Sequence, residues 1–187
     1  MFTDSMRKAI LDGRYEETEE GIFVPSERGM IQGIVAYGKR GEALEWTHNL
    51  ITTSGLNYLV GVATGAVSPI ATWYVAPFSG DVAVQATWTA ANFTALATEF
   101  TQYDEATRPA WVPGAVAAGA RDSFATKASF TSSVDGAIVR GAALIGASGK
   151  SATSGTLLGA TRFLSDKPLD TGEILDVGYG LQISAVS

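Results

Sequence analysis

The hydrophobic pattern is clearest near the C-terminal end, where apolar and polar residues alternate from Glu173 to Val186. Successive side chains of a strand point to opposite faces, so this alternation predicts a long strand with one buried face. The predicted buried face carries Leu175, Val177, Tyr179, Leu181 and Ile183. The run 137–145 is apolar on both faces apart from Arg140, which predicts a strand in the centre of a sheet.

Much of the remaining pattern also predicts strands separated by turns. Residues 30–51 are typical of a hairpin that turns at Gly38–Gly41. The apolar face of its second strand carries Leu44, Trp46, His48 and Leu50. Residues 72–78 predict an edge strand or strand end, because Pro77 has no amide hydrogen to donate. Further strands are expected within 124–130 and 156–164, so the chain is predicted to form an antiparallel, jelly-roll-like β-sandwich.

Two segments have helical spacing instead. In the first, Thr53 or Ser54 is the expected N-cap and Gly65 the expected end. Its apolar positions are Leu56, Leu59, Val60 and Ala63. A second short helix is predicted within residues 89–100. The fold class is therefore mainly β, with one or two short helices.

Two segments depart from this regular pattern. Residues 1–28 include Glu16–Glu20, whose like charges repel each other and offer little to bury, so a polar acidic arm is expected before a single β-sandwich domain over 29–187. A solvated linker is favoured there over a cation-binding patch, and an arm that orders against a neighbouring subunit is a special case. Residues 101–121 predict a long loop, and loops of that length are usually binding segments or mobile ones.

Composition excludes several partner classes. The chain has 187 residues and a formal net charge of −6, with Lys and Arg scattered along it, which disfavours binding to nucleic acid or to anionic membranes. It has no cysteine, so disulfides and thiolate metal sites are impossible, and cytosolic folding is expected. The start lacks the apolar core of a signal peptide, and no apolar run is long enough to span a bilayer.

Residues that carry chemistry are sparse. His48 is the only histidine, and its place on an apolar strand face favours a packed or interface role over catalysis. Glu99 with Asp104 or Glu105 is an example of a carboxylate pair that a glycosidase would need, but nothing in the sequence fixes their separation, and a surface loop is favoured. Four aromatic residues are candidates for a sugar-binding face: Trp73, Tyr74, Trp88 and Trp111. We therefore expect a binding protein with no catalytic residues, no cofactor and no metal.

An ordered set of motifs carries a resemblance over residues 43–186. The motifs are Asn49–Leu59, Trp73–Gly80, Trp88–Phe93, Thr98–Trp111, Gly141–Leu144, Lys150–Gly155, Arg162–Phe163 and Gly172–Val177. In this order they resemble a family of tailed-bacteriophage virion proteins of the head-decoration type, also called cement or minor capsid proteins.

The resemblance implies a structural protein that binds the outer capsid surface and stabilises the head. Its implied partners are the major capsid protein and further copies of itself, with which it forms a dimer or trimer. It would fold in the host cytoplasm and end on the virion. The candidate contacts lie in the loop 101–114 and the arm: Tyr103, Arg108, Trp111, Met6, Ile10 and Leu11. One alternative is a tail, collar or fibre-base component of the virion. A less favoured alternative is a carbohydrate-binding module.

Overall fold

The computed structural model describes residues 16–18, 21–23 and 29–185. The chain divides into two units, of which the larger is Ile31–Gln182. The other unit includes a small antiparallel hairpin, strands β1 (Glu16–Thr18) and β2 (Gly21–Phe23), with Glu17 opposite Ile22. Part of the acidic run expected to be a solvated linker is therefore paired strand.

Nine further strands and two α-helices lie within residues 29–185. The strands are β3 (Gly29–Lys39), β4 (Glu45–Ile51), β5 (Trp73–Phe78), β6 (Ala110–Trp111), β7 (Ala120–Asp122), β8 (Ala128–Thr131), β9 (Ala137–Ile145), β10 (Leu157–Leu169) and β11 (Ile174–Ala185). The helices are α1 (Thr53–Ala63) and α2 (Ala90–Ala97). The prediction of a mainly β fold with one or two short helices is confirmed.

The nine strands of this part of the chain form one antiparallel sheet in the order β6-β5-β9-β10-β4-β3-β11-β7, with β8 also paired to β11. The predicted hairpin of β3 and β4 is present, with Val35 opposite Thr47. Strand β9 lies between β5 and β10, as its two apolar faces predicted. The sheet is curled, so that β3, β8 and β11 contribute to the same apolar core as β5, β9 and β10.

Each face of the sheet has its own core. The concave side holds the larger one, where Tyr37 stacks on Phe163 with ring centroids 3.8 Å apart. On the opposite side, α2 packs Phe93 and Ala97 against β5, β9 and β10. The face predicted for the C-terminal strand is confirmed at Leu175, Val177 and Tyr179, which are fully buried, whereas Ile183 is exposed.

The face of β4 is the reverse of the expected one. Trp46, His48 and Leu50 point outward, and Trp46 is 50% exposed. The opposite face turns inward because Glu45 accepts hydrogen bonds from Tyr37 and from Lys167, which replace the water that the carboxylate loses. The alternation correctly indicates two distinct faces, but the polar face, and not the apolar one, points toward the core.

Helix α1 begins one residue earlier than predicted. Thr52 is the N-cap, its Oγ1 accepting the amide hydrogen of Gly55 at 3.0 Å and donating to the carbonyl of Leu157 at 2.6 Å. The helix contacts β10 through Gly55, where a Cβ would lie 2.1 Å from the Leu158 carbonyl oxygen. The predicted apolar positions Leu56 and Val60 are consequently exposed. Gly65 has φ 74° just after the helix, as expected.

The segment 101–121 is more regular than the predicted long loop. It contains β6 and leads directly into β7, and a two-residue turn joins Ala117 to Ala120. Neither helix in the described part of the chain has the length and apolarity needed to cross a membrane.

Candidate functional site

The loop between α2 and β6 contains a buried ion pair that the sequence did not reveal. Nε and Nη2 of Arg108 donate to the two carboxylate oxygens of Glu99 at 2.8 and 2.7 Å. Both side chains have no exposed surface. Two further donors of the guanidinium reach the carbonyl oxygens of Ala147 at 2.9 Å and Ala152 at 3.1 Å. The pair is therefore bidentate and hydrogen-bonded on its outer side, the geometry that a buried charge requires.

This ion pair joins three parts of the chain. Glu99 follows the C-cap of α2, and its carboxylate also accepts the amide hydrogen of Ser151 at 3.0 Å, in the turn between β9 and β10. The amide of Arg108 donates to the carbonyl of Ser148 in the same turn at 2.8 Å. Arg108 thus holds the loop 101–109 against the sheet. Its side chain is not on the surface of the isolated chain, so it does not offer a direct capsid contact there.

Tyr103, the second candidate contact, is also buried. Lys150 lies over its ring, with Nζ 3.8 Å from the centroid, and Phe130 meets the ring edge-on at 5.2 Å. Burial raises the pKa of the Tyr103 hydroxyl above its ordinary value. The exposed residues of the loop are instead Gln102, Asp104, Ala106 and Thr107.

Trp111, the third candidate, connects the two ends of the curled sheet. It lies on the edge strand β6, opposite Trp73 of β5, and is half-buried against the concave core. Its indole Nε1 donates to the carbonyl of Tyr179 on β11 at 2.8 Å. The guanidinium of Arg121 lies over its ring, 5.8 Å from the centroid. Trp111 therefore closes the core at this edge and leaves only part of its ring accessible.

A projecting hairpin follows Trp111. Residues 112–119 carry no charged side chain, and Val112 and Val116 are 55% and 69% exposed. Ala117 and Ala120 exchange both backbone hydrogen bonds, at 2.9 and 2.8 Å. Ala118 and Gly119 between them have φ 48° and 73°, the pair of positive angles that a type I′ turn requires. The sequence predicts only a loop here, because an alanine gives no signal that its backbone adopts a positive φ.

The hairpin is held firmly at its base. The amide of Gly114 donates to the carbonyl of Asp122 at 2.9 Å, and the Thr126 hydroxyl donates to the carbonyl of Val112. Arg121 Nε donates to the carbonyl of Gly114 at 2.9 Å. The exposed apolar residues therefore stand on a hydrogen-bonded support.

Glu99 and Glu105, two of the carboxylates considered for catalysis, are each bound to other parts of the chain. Glu99 is paired with Arg108, whereas Glu105 accepts hydrogen bonds from the amide and the hydroxyl of Thr131. Among the described residues, no group of three or more His, Asp and Glu side chains is arranged to hold a metal ion. The aromatic residues proposed for a sugar face are also divided, since Trp73 lies in the concave core and Trp88 under α2.

Among the partly exposed carboxylates that the structure describes, Glu45 has the most strongly shifted pKa, and it belongs to a structural cluster. Glu45 accepts from Lys167, from Ser165 and from the Tyr37 hydroxyl, and these hydrogen bonds lower its pKa to about 2. Burial, reinforced by the hydrogen bond to Glu45, raises the pKa of Tyr37 to about 12. Tyr37 in turn accepts the amide hydrogen of Leu164 at 2.7 Å. The cluster joins β3, β4 and β10 and keeps Glu45 ionised.

The remaining candidate contacts, Met6, Ile10 and Leu11, lie outside the described residues. A scan against protein-family models finds no match for this chain. A search of curated proteins finds no significantly similar sequence. The resemblance to tailed-phage virion proteins, with the partners and location that it implies, stays a prediction.

Proposed function

We propose that this protein is a non-enzymatic decoration protein of a tailed-phage head, which binds the outer capsid surface and reinforces the shell. The major capsid protein is its partner, and it acts as a dimer or trimer. It folds in the host cytoplasm and is then carried on the virion. A tail, collar or fibre-base component of the virion is the alternative. We also propose that the curled sheet, whose halves face each other across one core, is a variant of a jelly-roll-like sandwich.

One contrast in the structure carries the proposal. The buried pair Glu99–Arg108 and the cluster around Glu45 use their charged groups to hold strands and loops together. Asp176 of β11 does the same, because its carboxylate accepts hydrogen bonds from Arg40, after β3, and from Ser129 of β8. Large apolar side chains are meanwhile left at the surface, among them Trp46, Val112 and Val116. Exposed apolar groups on a rigid support favour a protein that acts by docking on other proteins.

The loop 101–114 is the capsid-facing segment in this proposal. Its exposed residues include Asp104, Ala106 and Thr107. Because the buried Arg108 side chain binds Glu99 and so fixes the loop, little conformational entropy is lost when these residues bind a partner. Many copies on one lattice act together, so each contact need not be strong. Binding the assembled shell in preference to free subunits stabilises the shell by mass action.

The test is to add purified protein to phage capsids that lack it and to image the particles by cryo-electron microscopy. We expect regular added density over the shell, at one class of symmetry-related positions. Density at the tail vertex only would replace this proposal with the tail-component alternative, and bare particles would overturn both.

A pair of matched variants locates the contact. Ala106 and Ala83 are both exposed alanines, the first in the loop 101–114 and the second remote from it in sequence, before α2. We expect Ala106→Arg to lower capsid occupancy and Ala83→Arg to leave it unchanged. Equal occupancy for the two variants would show that the loop is not the capsid contact.

A further inference from the structure

A polar site lies on the core side of the sheet, where strands β4 and β10 separate. The two strands pair only through Leu50 and Ile51 of β4, which lie opposite Ala160 and Gly159 of β10. Asn49 is the neighbouring residue on β4, and it belongs to the face of that strand that points toward the core. Its carboxamide therefore lies on the inner side of the place where the sheet opens.

Three buried polar atoms of this site have no hydrogen-bond partner among the described residues. They are Oδ1 and Nδ2 of Asn49 and the hydroxyl oxygen of Tyr179. Tyr179 of β11 has no exposed surface, and burial raises the pKa of its hydroxyl above the ordinary value. The hydroxyl therefore keeps its proton and can both donate and accept a hydrogen bond.

Two glycines allow these side chains to approach each other. Gly33 of β3 lies opposite Asn49, and a Cβ on it would be 1.8 Å from Asn49 Oδ1, so the carboxamide occupies the space that a side chain would need. A Cβ on Gly159 would be 2.6 Å from Asn49 Nδ2 and 2.9 Å from the Tyr179 hydroxyl oxygen. Nδ2 and the hydroxyl are therefore less than about 6 Å apart without a direct bond, a separation that one bridging water can span.

The chemistry of the surrounding atoms indicates what the site binds. Buried polar groups are nearly always paired, either with the protein or with ordered water, and a buried water makes about three hydrogen bonds. Here Asn49 Nδ2 is a donor, the Tyr179 hydroxyl can act either way, and the carbonyl oxygen of Leu50, an acceptor, lies 2.8 Å from the same point above Gly159. None of these groups is charged, so they suit a small neutral molecule that both donates and accepts, and do not suit an ion.

We propose that one ordered water is bound in the core between Asn49 and Tyr179. It accepts a hydrogen bond from Asn49 Nδ2 and forms a second one with the Tyr179 hydroxyl, and so links β4 to β11 across the intervening strand β3. Oδ1 of Asn49, over Gly33, is not part of this bridge. The inference concerns the core and does not depend on capsid binding.

The direct test is a crystal structure of the full chain at a resolution that shows ordered water. We expect one water at about 2.7–3.2 Å from both Asn49 Nδ2 and the Tyr179 hydroxyl oxygen. A direct hydrogen bond between the two side chains, or no density between them, would overturn the proposal.

Urea denaturation tests the same site in solution through the sign of one effect. If the Tyr179 hydroxyl is bonded to water, Tyr179→Phe should raise the equilibrium constant for unfolding by about fivefold to tenfold, whereas removing an unpaired hydroxyl would lower that constant. Tyr103→Phe is the matched control, because the Tyr103 hydroxyl is also buried without a partner among the described residues, in a ring that packs against Lys150 and Phe130. We expect no increase for the control. An unchanged or lower constant for Tyr179→Phe, or equal increases in both variants, would contradict the bound water.

A double variant tests whether Asn49 and Tyr179 share one water. Asn49→Leu should raise the unfolding constant by itself, and combining it with Tyr179→Phe should give less than the product of the two single effects, because the second change removes a partner of a water that is already lost. Effects that multiply would show that the two groups are independent and would overturn the shared site. Neither capsid coverage nor bare capsids would alter this result, since the site lies inside the fold.

Discussion

The buried pair Glu99–Arg108 and the hairpin 112–119 are close in the sequence, but the first buries charged groups whereas the second exposes apolar ones. The pair places two full charges where no water reaches them, and each charge has several hydrogen-bond partners. The hairpin leaves valines in contact with water and has no charged side chain. Burying a charge and exposing an apolar group both oppose folding, so each requires compensation.

The compensation differs between the two regions. For the ion pair it lies inside the chain, because Arg108 holds the loop, the turn after β9 and the end of α2 together. For the hairpin, we expect the cost of exposing Val112 and Val116 to be offset when the protein docks on its partner, which would cover these two side chains. The difference separates residues that maintain the fold from residues available for binding.

The largest expected effect comes from breaking the ion pair. Arg108→Met should lower the free energy of unfolding by about 3–5 kcal/mol, because it leaves the Glu99 carboxylate buried without its cation. Urea denaturation measures the change. Arg140→Met is the control, since the pair between Arg140 and Asp166 is partly exposed and contributes about 0–1 kcal/mol.

A double variant then separates the charge from the packing. Replacing both members of the pair, as Glu99→Leu with Arg108→Met, should recover most of the stability lost in the single variant. A double variant as unstable as Arg108→Met would mean that the hydrogen bonds to Ala147 and Ala152 matter more than the buried charge.

A smaller effect, of opposite sign, is expected at the hairpin tip. Ala118 has φ 48°, which disfavours a side chain, so Ala118→Gly should stabilise the protein by up to about 1 kcal/mol. Ala115→Gly, in the same hairpin without positive φ, should instead destabilise it by about 0.4–1 kcal/mol. Thermal unfolding followed by circular dichroism compares the two. A loss of stability in both would show that the turn is not under strain.

The smallest effect is expected at Glu45, whose carboxylate is neither fully buried like the Glu99–Arg108 pair nor fully exposed like the hairpin tip. Its folded-state pKa, about 2, is below the unfolded value near 4.5, so its contribution to stability is present above about pH 4.5 and lost as the pH falls through 2. Because about a third of the side chain is exposed, we expect less than about 1 kcal/mol.

Urea unfolding between pH 2 and 6 checks this expectation. Glu45→Gln should flatten the pH dependence, whereas Glu42→Gln, at an exposed position in the preceding turn, should not. Identical profiles for Glu45→Gln and the wild type would show that the Glu45 cluster does not contribute to stability in this pH range.

Sequence reasoning found most of the elements but few of their contacts. The β3–β4 hairpin, the central strand β9, the C-terminal strand and both helices follow from periodicity and turn residues, which are local properties. The outward orientation of Trp46 does not, because it depends on Glu45 meeting Lys167, far away in the sequence. The candidate contacts Tyr103 and Arg108 illustrate the same limit, since their burial depends on Lys150 and Glu99.

The sequence by itself determined that this is a mainly β chain with short helices, few reactive side chains and no cysteine, because alternation, turn residues and composition are read without knowing any long-range contact. Only the tertiary structure decided which face of each strand is buried, which charges are paired, and that the apolar hairpin 112–119 is left exposed. Those features depend on pairs of residues far apart in the chain, and the hydrophobic pattern of one segment does not show which other segment it will contact.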